Sequence, residues 1–539
     1  MAEAKRLFSG AFAYIVPDGA TFDTLTFDDN DAKVFMAERY GGFGIGYNGG
    51  GARCGSLGPF QVKGCGKNLL AGADQEVHHS YGGFKALYAI HEAIYASILE
   101  RLLPLGAVRI LGVMLTGPKG AYVRKDVERG WGALMVRDAV LRPANFLRAR
   151  SFRPTKETSR VLLSDVSRVR RANRELYRLI GGVDGFDSYI KRFLRNCANQ
   201  FTFARFMRLS HGAVTASNIA IDGKWLDLTN TTLSCSSIDT GGDNMFSPSF
   251  YEELFAPVPI ACEMIETFSK YNGMAIPSDW VRAFYAHQVN IHTLLHLPYL
   301  FGQSTQLDSK DLAAPAPKIA AAVMGILSSA PTVHHQWPLA LPDNDPLLSF
   351  TGSLFLSMAE DEDSRRSLIE QLKIDPVELQ QLVDELASML RTFFNGSNES
   401  WNWHVFLCRS FSCAMRRACL PEYFFKQRLG AAIDDRLHTV VEEELEAFIS
   451  ASVDFGSWVF AMHADDTILD STQGFNLSFA PNSSQLILRT SHGQTHGSAL
   501  DVLAAVEALP ELLLHVEGFN CKRYLLRVLK GLVVLEHAR

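Results

Sequence analysis

Residues 210–228 read Ser210-His211-Gly212-Ala213-Val214-Thr215-Ala216-Ser217-Asn218-Ile219-Ala220-Ile221-Asp222-Gly223-Lys224-Trp225-Leu226-Asp227-Leu228. The pair Asp222-Gly223 lies between two short apolar runs, which is typical of a two-residue β-hairpin turn whose central residues both have positive φ. In that register Ile221 pairs with Lys224 and, further out, Asn218 pairs with Asp227. The stretch therefore predicts a hairpin whose open end presents one amide oxygen beside one carboxylate.

An amide and a carboxylate in this arrangement are candidate ligands for a divalent cation. Directly opposed residues of a hairpin have Cβ atoms roughly 5 Å apart. Hard oxygen ligands at that separation suit a Mg²⁺ ion that keeps several waters and takes phosphate oxygens from a nucleotide. The alternative is a surface hairpin with an ordinary polar pair, and features elsewhere in the chain favour the metal site.

The composition is that of a folded protein with more than one domain. A chain of 539 residues is long for a single core and predicts two or three domains. The net charge of −6 gives no general reason to expect nucleic-acid binding. Nine cysteines without a repeated Cys-x-x-Cys pair favour free thiols in a reducing cytoplasm. With no secretory signal and no apolar run long enough to span a bilayer, the sequence predicts a cytoplasmic protein without a membrane span.

A glycine-rich segment precedes the first clear strand pattern. Seven glycines lie between positions 41 and 51, and Arg53 follows them. Exposed backbone N–H groups in such a loop, including those of Gly49 and Gly50, can cradle phosphates. A flexible connector explains the same composition equally well.

A lysine and a glutamate follow in an order that suits nucleotide binding. Residues 59–64 alternate as a short strand that contains Lys63. Apolar residues recur at three- and four-residue steps over 84–102, which predicts a helix with Glu92 in its middle. Kinase-like folds pair such a lysine and glutamate so that the lysine points at the α- and β-phosphates. Taken alone, the two residues would more often be solvated surface charges.

The most basic part of the chain covers residues 137–178. It contains eleven arginines and one lysine against four acidic residues. This composition indicates either a solvated basic helix face or an electrostatic clamp on nucleotide phosphates or an acidic partner.

The remaining patterns divide the chain into three parts. Residues 1–145 predict a nucleotide-binding lobe with strands and one helix, and residues 146–312 predict a mostly helical lobe that carries the hairpin. A proline-containing linker follows over 313–345. Residues 346–539 are predicted to be mostly helical, with one short strand-like segment at 486–488.

The order of these features resembles the protein-kinase-like fold, and the motifs most resemble those of the selenoprotein O (SelO, bacterial YdiU) family. The segment from Tyr40 to Arg53 resembles the family's YGGxxFG loop and its following arginine. The run Gln61-Val62-Lys63-Gly64-Cys65-Gly66 resembles QLKGxG, and His91-Glu92 falls on the IRE helix motif. Residues 211–227 match HGVMNTDN…IDYG without a gap. The resemblance covers roughly residues 35–230.

The resemblance implies an α+β, bilobal protein-kinase-like fold with a small β-rich N-lobe, one key helix, a mostly helical C-lobe and an additional helical C-terminal region. It also implies an enzyme that uses ATP and Mg²⁺ (or Mn²⁺) to transfer AMP, or phosphate, to a protein or peptide acceptor. Lys63, Glu92 and Asp227 are then the catalytic residues, and Asn218 and Asp227 hold the metal. The implied nucleotide contacts are Gly49, Gly50, Arg53, Lys63, Arg137 and Arg142.

Ser217 departs from the family pattern, which has an aspartate there as its catalytic base. A serine does not take a proton from a hydroxyl nucleophile at neutral pH. Either the protein is a catalytically silent pseudokinase scaffold or binding subunit, or its acceptor needs no base. A carboxylate, already ionised near pH 7, meets that requirement. The combination is similar in outline to microcin-maturation (MchC/MceJ-type) proteins, which would imply activation of a peptide carboxylate for a partner acyltransferase.

Overall fold

The fold is α+β, with small antiparallel sheets embedded in a mostly helical chain. A computed structural model describes, apart from a few isolated positions, residues 34–42, 45–73, 81–124, 128–156, 165–233, 253–303, 375–395, 401–439, 442–461, 466–514 and 518–537. The predicted linker at 313–345 lies outside the described residues. Of the helices in those ranges, none has the length and apolarity needed to cross a membrane.

The N-terminal sheet contains four antiparallel strands in the order β1-β2-β4-β3. The strands are β1 (Cys54–Leu57), β2 (Phe60–Lys63), β3 (Ile110–Arg124) and β4 (Glu128–Asp138). The strand predicted over 59–64 is therefore confirmed by β2. Strand β1 was not predicted, because its four residues show no apolar alternation.

The helix predicted over 84–102 is present as α1 (Ala86–Leu102), and it packs on this sheet. Its apolar residues Ile90, Ile94 and Ile98 are each no more than 1% exposed. The helix is buried on more than one side, since Glu92 is also 1% exposed. Glu92 therefore faces the interior and needs partners for its charge.

The next part of the chain is helical around a short two-stranded ladder. Its elements are α2 (Asp165–Leu179), α3 (Gly182–Phe206), β5 (Leu209–Ser210), β6 (Thr232–Leu233), α4 (Pro257–Asn272) and α5 (Trp280–His296). The mostly helical character predicted for this part of the chain is therefore confirmed in its described residues. Strands β5 and β6 pair antiparallel and bring together the two ends of the segment that contains residues 211–231.

The C-terminal region is helical with a sheet inserted in it. The helices are α6 (Pro376–Asn395), α7 (Trp403–Cys419), α8 (Lys426–Thr439), α9 (Glu442–Val459), α10 (Ala499–Glu507) and α11 (Lys522–His537). The inserted strands, in the order β10-β9-β8-β7, are β7 (Thr467–Asp470), β8 (Asn476–Phe479), β9 (Leu486–Thr490) and β10 (Gly493–Gly497). The prediction of a single strand-like segment there was wrong, because short strands such as the exposed Gly493–Gly497 carry no apolar alternation.

This C-terminal region packs directly against α1. One continuous cluster of buried apolar side chains extends from α1 to α11. The hydroxyl of Tyr95 donates a hydrogen bond to the carbonyl of Phe424. The ammonium of Lys426 donates to Oδ1 of Asn230 at 2.6 Å, next to the segment that carries Asp227. The C-terminal helices therefore form one wall of the core around α1.

Gly456 lies where α9 packs against α1. A Cβ atom at this position would overlap the side chain of Ile98 and lie 2.9 Å from Cζ of Phe424. We expect Gly456→Ala to lower the free energy of unfolding by about 1–3 kcal/mol through overpacking, measured by urea denaturation.

Gly430→Ala on α8 is the matched control. A Cβ atom there meets no heavy atom of the described residues within 4 Å. Because alanine is the better helix former, we expect this variant to be neutral or stabilised by up to about 1 kcal/mol. Equal destabilisation of the two variants would contradict the packing of α9 on α1.

Candidate active site

Strand β2 and helix α1 bring Lys63 against Glu92. Nζ of Lys63 lies 3.2 Å from Oε2 of Glu92, and the two side chains are 7% and 1% exposed. The predicted contact is therefore present, and the alternative of two solvated surface charges is wrong. The lysine ammonium also lies 4.4 Å from the centroid of the Phe84 ring, which covers one side of it.

Asp227 binds the same lysine. Its Oδ1 atom lies 2.5 Å from Nζ of Lys63. Asp227 has φ of 60° and ψ of 54°, a left-handed conformation that aspartate tolerates better than most residues. Such a conformation costs about 1–3 kcal/mol, and it persists where the surrounding contacts fix it. Three residues that are distant in sequence thus meet in one cluster.

Two arginines complete the contacts of Asp227. Nη1 of Arg137 lies 3.1 Å from Oε1 of Glu92 and 3.0 Å from Oδ1 of Asp227. Nη1 of Arg142 lies 3.3 Å from Oδ2 of Asp227 and donates to the carbonyl of Ser217 at 2.8 Å. Both arginine side chains are almost fully buried. The structure therefore places both predicted arginines in the cluster, where they bind carboxylates of the protein itself.

Two further residues of this cluster were missed at the sequence level. Oε1 of Gln61 accepts from Nε of Arg137 at 2.7 Å and from Nη2 of Arg142 at 3.0 Å. Nε2 of Gln61 donates to Oε2 of Glu38 at 2.6 Å. Gln61 shares a strand face with Lys63 two residues later, so strand periodicity indicates it. Glu38 lies in a segment without regular secondary structure, so no local sequence pattern indicates its role.

The cluster balances three cations, Lys63, Arg137 and Arg142, against three acids, which are Glu38, Glu92 and Asp227. Burial would raise the pKa of Asp227, but Arg137, Lys63 and Arg142 outweigh it and hold that pKa well below its usual value. Asp227 is therefore a carboxylate at neutral pH, held by the three cations around it.

The turn at Asp222-Gly223 reverses the chain but not in the predicted register. The bridge pairs Ile219 with Trp225, so the loop holds one residue more than a two-residue turn. Gly223 has a positive φ of 96°, whereas the only non-glycine residue of this segment with positive φ is Asp227. Oδ1 of Asp222 accepts from the N–H of Lys224 at 3.1 Å, and this side-chain bond closes the longer loop.

The shifted register moves Asn218 out of direct opposition to Asp227. Nδ2 of Asn218 donates to the carbonyl of Ala213 at 2.8 Å, and its Oδ1 accepts from the hydroxyl of Ser217 at 3.0 Å. Within the described part of the chain, its side chain makes no hydrogen bond to Asp227. The predicted side-by-side pair is thus wrong in detail, although both residues belong to the same reversal of the chain.

The donor types of Asn218 and Asp227 fit Mg²⁺, which prefers hard oxygens and keeps several waters. Both carboxylate oxygens of Asp227, however, already bind cations of the protein. A metal ion can therefore bind Asp227 only if an anion binds those cations in place of the Asp227 carboxylate. Among the described residues, no group of three or more His, Cys, Asp or Glu side chains is arranged as a metal site.

The glycine-rich loop packs closely against the segment 38–40. A Cβ atom on Gly50, which has φ of 145°, would collide with the backbone of that segment. The N–H of Gly49 donates to the carbonyl of Leu70 at 2.8 Å, so a phosphate reaches it only if that bond breaks. The flexible-connector alternative is therefore wrong for this part of the loop. Nη1 of Arg53 donates to the carbonyl of Gly83 at 3.2 Å, and its guanidinium lies 5.0 Å from the ring of Phe84 that also contacts Lys63.

His211 holds the two sides of the reversal together. Its Nε2 atom lies 3.2 Å from the carbonyl oxygen of Asn218 and 3.0 Å from that of Leu226. Two acceptors assign the proton to Nε2. Burial lowers the pKa of His211 to about 4, so the ring is neutral at pH 7. His211 thereby positions the segment that leads into Asp227.

Glu253 anchors the same motif from its other side and was not predicted. Its carboxylate accepts from Ser210 Oγ at 2.9 Å, from the N–H of His211 at 3.1 Å and from the N–H of Gly212 at 2.7 Å. Burial raises the pKa of Glu253 to about 7, against the opposing charge of Arg205.

The raised pKa of Glu253 predicts a pH dependence of stability. The folded state keeps the proton up to about pH 7, whereas the unfolded chain releases it near 4.5. The contribution of Glu253 to the free energy of unfolding therefore falls as pH rises from 4.5 to 7 and stays low above that. We expect Glu253→Gln to flatten this decline in urea denaturations at pH 5 and pH 7.5. Parallel curves for the two proteins would contradict it.

The basic region 137–178 divides into two kinds of arginine. Arg137 and Arg142 lie in the Asp227 cluster, and Nη2 of Arg168 donates to the carbonyl of Leu147 at 2.6 Å. Exposed arginines on α2 form a solvated basic face, and they are Arg170, Arg171, Arg174 and Arg178. The solvated-face interpretation is therefore confirmed for these four arginines, and a clamp on phosphates or an acidic partner stays a prediction for Arg137 and Arg142.

No known protein-family model matches the sequence, and no curated protein matches it significantly. The resemblance to the SelO family therefore remains a prediction that rests on the quoted motifs.

Proposed function

We propose that this protein is a SelO-like transferase with a bilobal kinase-like arrangement, which uses ATP and Mg²⁺ to move AMP, or phosphate, to a protein or peptide acceptor in the cytoplasm. The observation that carries the proposal is the position of the Lys63 ammonium between Glu92 and Asp227. Kinase-like enzymes hold such a lysine with a helix glutamate so that it binds phosphates, next to an aspartate that binds the metal.

The charges of the cluster support a triphosphate as ligand. Lys63, Arg137 and Arg142 converge on one carboxylate, Asp227. The oxygens of a triphosphate would bind these cations in place of the Asp227 carboxylate. Asp227, together with Asn218, would then be available to bind Mg²⁺. The ion would neutralise phosphate charge and orient the nucleotide. Arg53, beside the same aromatic ring as Lys63, adds a fourth cation for the phosphates.

The surroundings of Ser217 support a carboxylate acceptor. The hydroxyl of Ser217 donates to Oδ1 of Asn218, so it offers no base. An ionised carboxylate needs none: its oxygen attacks the α-phosphorus, the bond from that phosphorus to the bridging oxygen breaks, and pyrophosphate leaves with the electron pair. The product is an acyl-adenylate, which a partner acyltransferase would use, as in siderophore-peptide (microcin) maturation. Attack on the γ-phosphorus would instead give an acyl-phosphate and ADP.

Parallel incubations with α-labelled and γ-labelled ATP test the proposal. The full chain and Mg²⁺ are incubated with peptides that carry a free or an amidated C-terminal carboxylate. Label from the α position alone, on the free-carboxylate peptide alone, is the expected result. Label from γ alone would identify a kinase, and transfer to amidated peptides would contradict the carboxylate acceptor.

A catalytically silent scaffold is the second candidate. It is favoured by the pairing of both Asp227 oxygens with protein cations and by Ser217 at the position of the base. It predicts nucleotide binding without label transfer from either position, or no binding, with every partner tested.

A further inference from the structure

The turn that follows Asp227 lies between helix α1 and the start of α8. It is a 3-10 helix over Leu228–Asn230, and it packs on α1. Leu228 is 1% exposed, and Thr231, the residue after the turn, is fully buried. Asp227 directly precedes the turn in its left-handed conformation. The backbone of Asp227 therefore continues into a buried turn, and the position of that turn depends on its neighbours.

Lys426, the first residue of α8, makes two hydrogen bonds to this segment. Its Nζ atom donates to Oδ1 of Asn230 at 2.6 Å, and its backbone N–H donates to Oγ1 of Thr232 at 2.8 Å. Two residues earlier, the carbonyl of Phe424 accepts a hydrogen bond from the hydroxyl of Tyr95 on α1. The start of α8 thus joins the turn to α1.

The ammonium of Lys426 has no acidic partner within the part of the chain that the structure describes. It is partly buried, and the group that accepts its hydrogen bond is a neutral amide. Burial lowers the pKa of Lys426. Burial, together with the charge of Lys426, also lowers the pKa of His91 on α1 to about 3. A cation in these surroundings costs free energy, and such costs are typical of residues that serve a functional site.

We propose that Lys426 is a positioning residue for Asp227: by holding the turn after Asp227, it keeps the carboxylate in the geometry that metal binding requires. The inference rests on the proposed transferase function. When a triphosphate binds the three cations of the cluster, the side chain of Asp227 loses those contacts, and its position then depends on its backbone. His211 holds the backbone before Asp227 through the carbonyl of Leu226. Lys426 holds the backbone after it, so the C-terminal region contributes to the site.

Hydrogen–deuterium exchange of the full chain is the first test, with Lys426→Met as the variant that removes the ammonium. The reporter is the amide of Thr231, whose N–H donates to the carbonyl of Leu228 at 3.1 Å across the turn. We expect this amide to exchange about tenfold faster in Lys426→Met, because a hydrogen bond from a charged group is lost. The control is Lys530→Met, which removes an exposed ammonium 3.8 Å from Glu507. It should leave the exchange rate within about twofold of the parent protein.

The dependence of label transfer on Mg²⁺ is the second test. We expect the Mg²⁺ concentration for half-maximal transfer to rise about tenfold in Lys426→Met, since residues that orient a metal ligand typically have effects of this size. A loss of folded protein would lower transfer at every Mg²⁺ concentration and leave the half-maximal concentration unchanged. Asn230→Ala should have the same effect as Lys426→Met. The double variant should be no worse than either single variant, because the two residues act through one hydrogen bond.

The two tests separate this proposal from the proposed transferase function. Unchanged exchange of Thr231 in Lys426→Met would overturn the positioning role, as would effects of Lys426→Met and Asn230→Ala that multiply in the double variant. Faster exchange with an unchanged Mg²⁺ requirement would assign Lys426 to stability alone and would also overturn it. If the parent protein transfers no label, the transferase function fails, and the exchange of Thr231 alone decides whether Lys426 positions the turn.

Discussion

Replacing Glu92 by glutamine is expected to lower the free energy of unfolding by about 3 kcal/mol, measured by urea denaturation at pH 7. Glu92 is 1% exposed, and its two carboxylate oxygens lie 3.2 Å from Lys63 and 3.1 Å from Arg137. The glutamine keeps the shape and removes the charge. Three buried cations then face only Asp227 and Glu38, and burial weakens the solvation of the excess positive charge.

Glu100→Gln is the control for this substitution. Glu100 lies on the same helix, where it is exposed. Surface changes of this kind usually alter the free energy of unfolding by less than about 0.5 kcal/mol. If Glu92→Gln costs no more than Glu100→Gln, the buried ion pairs do not stabilise the fold as described.

The second large effect concerns activity. We expect Asp227→Asn to lower nucleotide turnover by about 100-fold or more, measured as label transferred from ATP at saturating Mg²⁺. The asparagine keeps the size of the side chain but loses the carboxylate that Lys63, Arg137 and Arg142 share. It also removes the one charged ligand proposed for the metal.

Asp222→Asn provides the matched comparison five residues earlier. Oδ1 of Asp222 accepts a hydrogen bond from the N–H of Lys224, and an asparagine oxygen accepts the same bond. Turnover should therefore stay within about twofold of the parent protein, because an exposed charge at the turn is screened. If the Asp227→Asn variant turned over nucleotide as fast as the parent protein, the proposed role of this cluster would be contradicted.

Much of the cluster could be predicted from local patterns. Lys63 lies on a short alternating strand, and Glu92 lies in a helix with a clear apolar period, so each position follows from the element that carries it. Their contact required one assumption beyond the pattern, namely that α1 packs on the sheet beside β2. The kinase-like order of motifs supplied that assumption, and the 3.2 Å contact agrees with it.

Other parts could not be predicted, because they depend on contacts between distant segments. The register at residues 218–227 follows from a side-chain bond of Asp222 that competes with the two-residue turn. Glu38 and Glu253 lie in segments without periodicity, and only the folded chain brings them to Gln61 and to Gly212. The strands of the β7–β10 sheet are short. They are recognised by their pairing with one another and not by their residue composition.

The packing of α8 and α9 on α1 has a consequence for shortened forms of this chain. A fragment that ends at the proline-containing linker lacks α8 and α9. It would therefore expose the side chain of Ile98 and the hydroxyl of Tyr95 to water. Such a fragment would be expected to form inclusion bodies when expressed in bacteria, and its lack of catalysis would then say nothing about the chemistry of Asp227. Deletion mapping is therefore unsuited to this protein, and single substitutions within the intact chain are the informative tool.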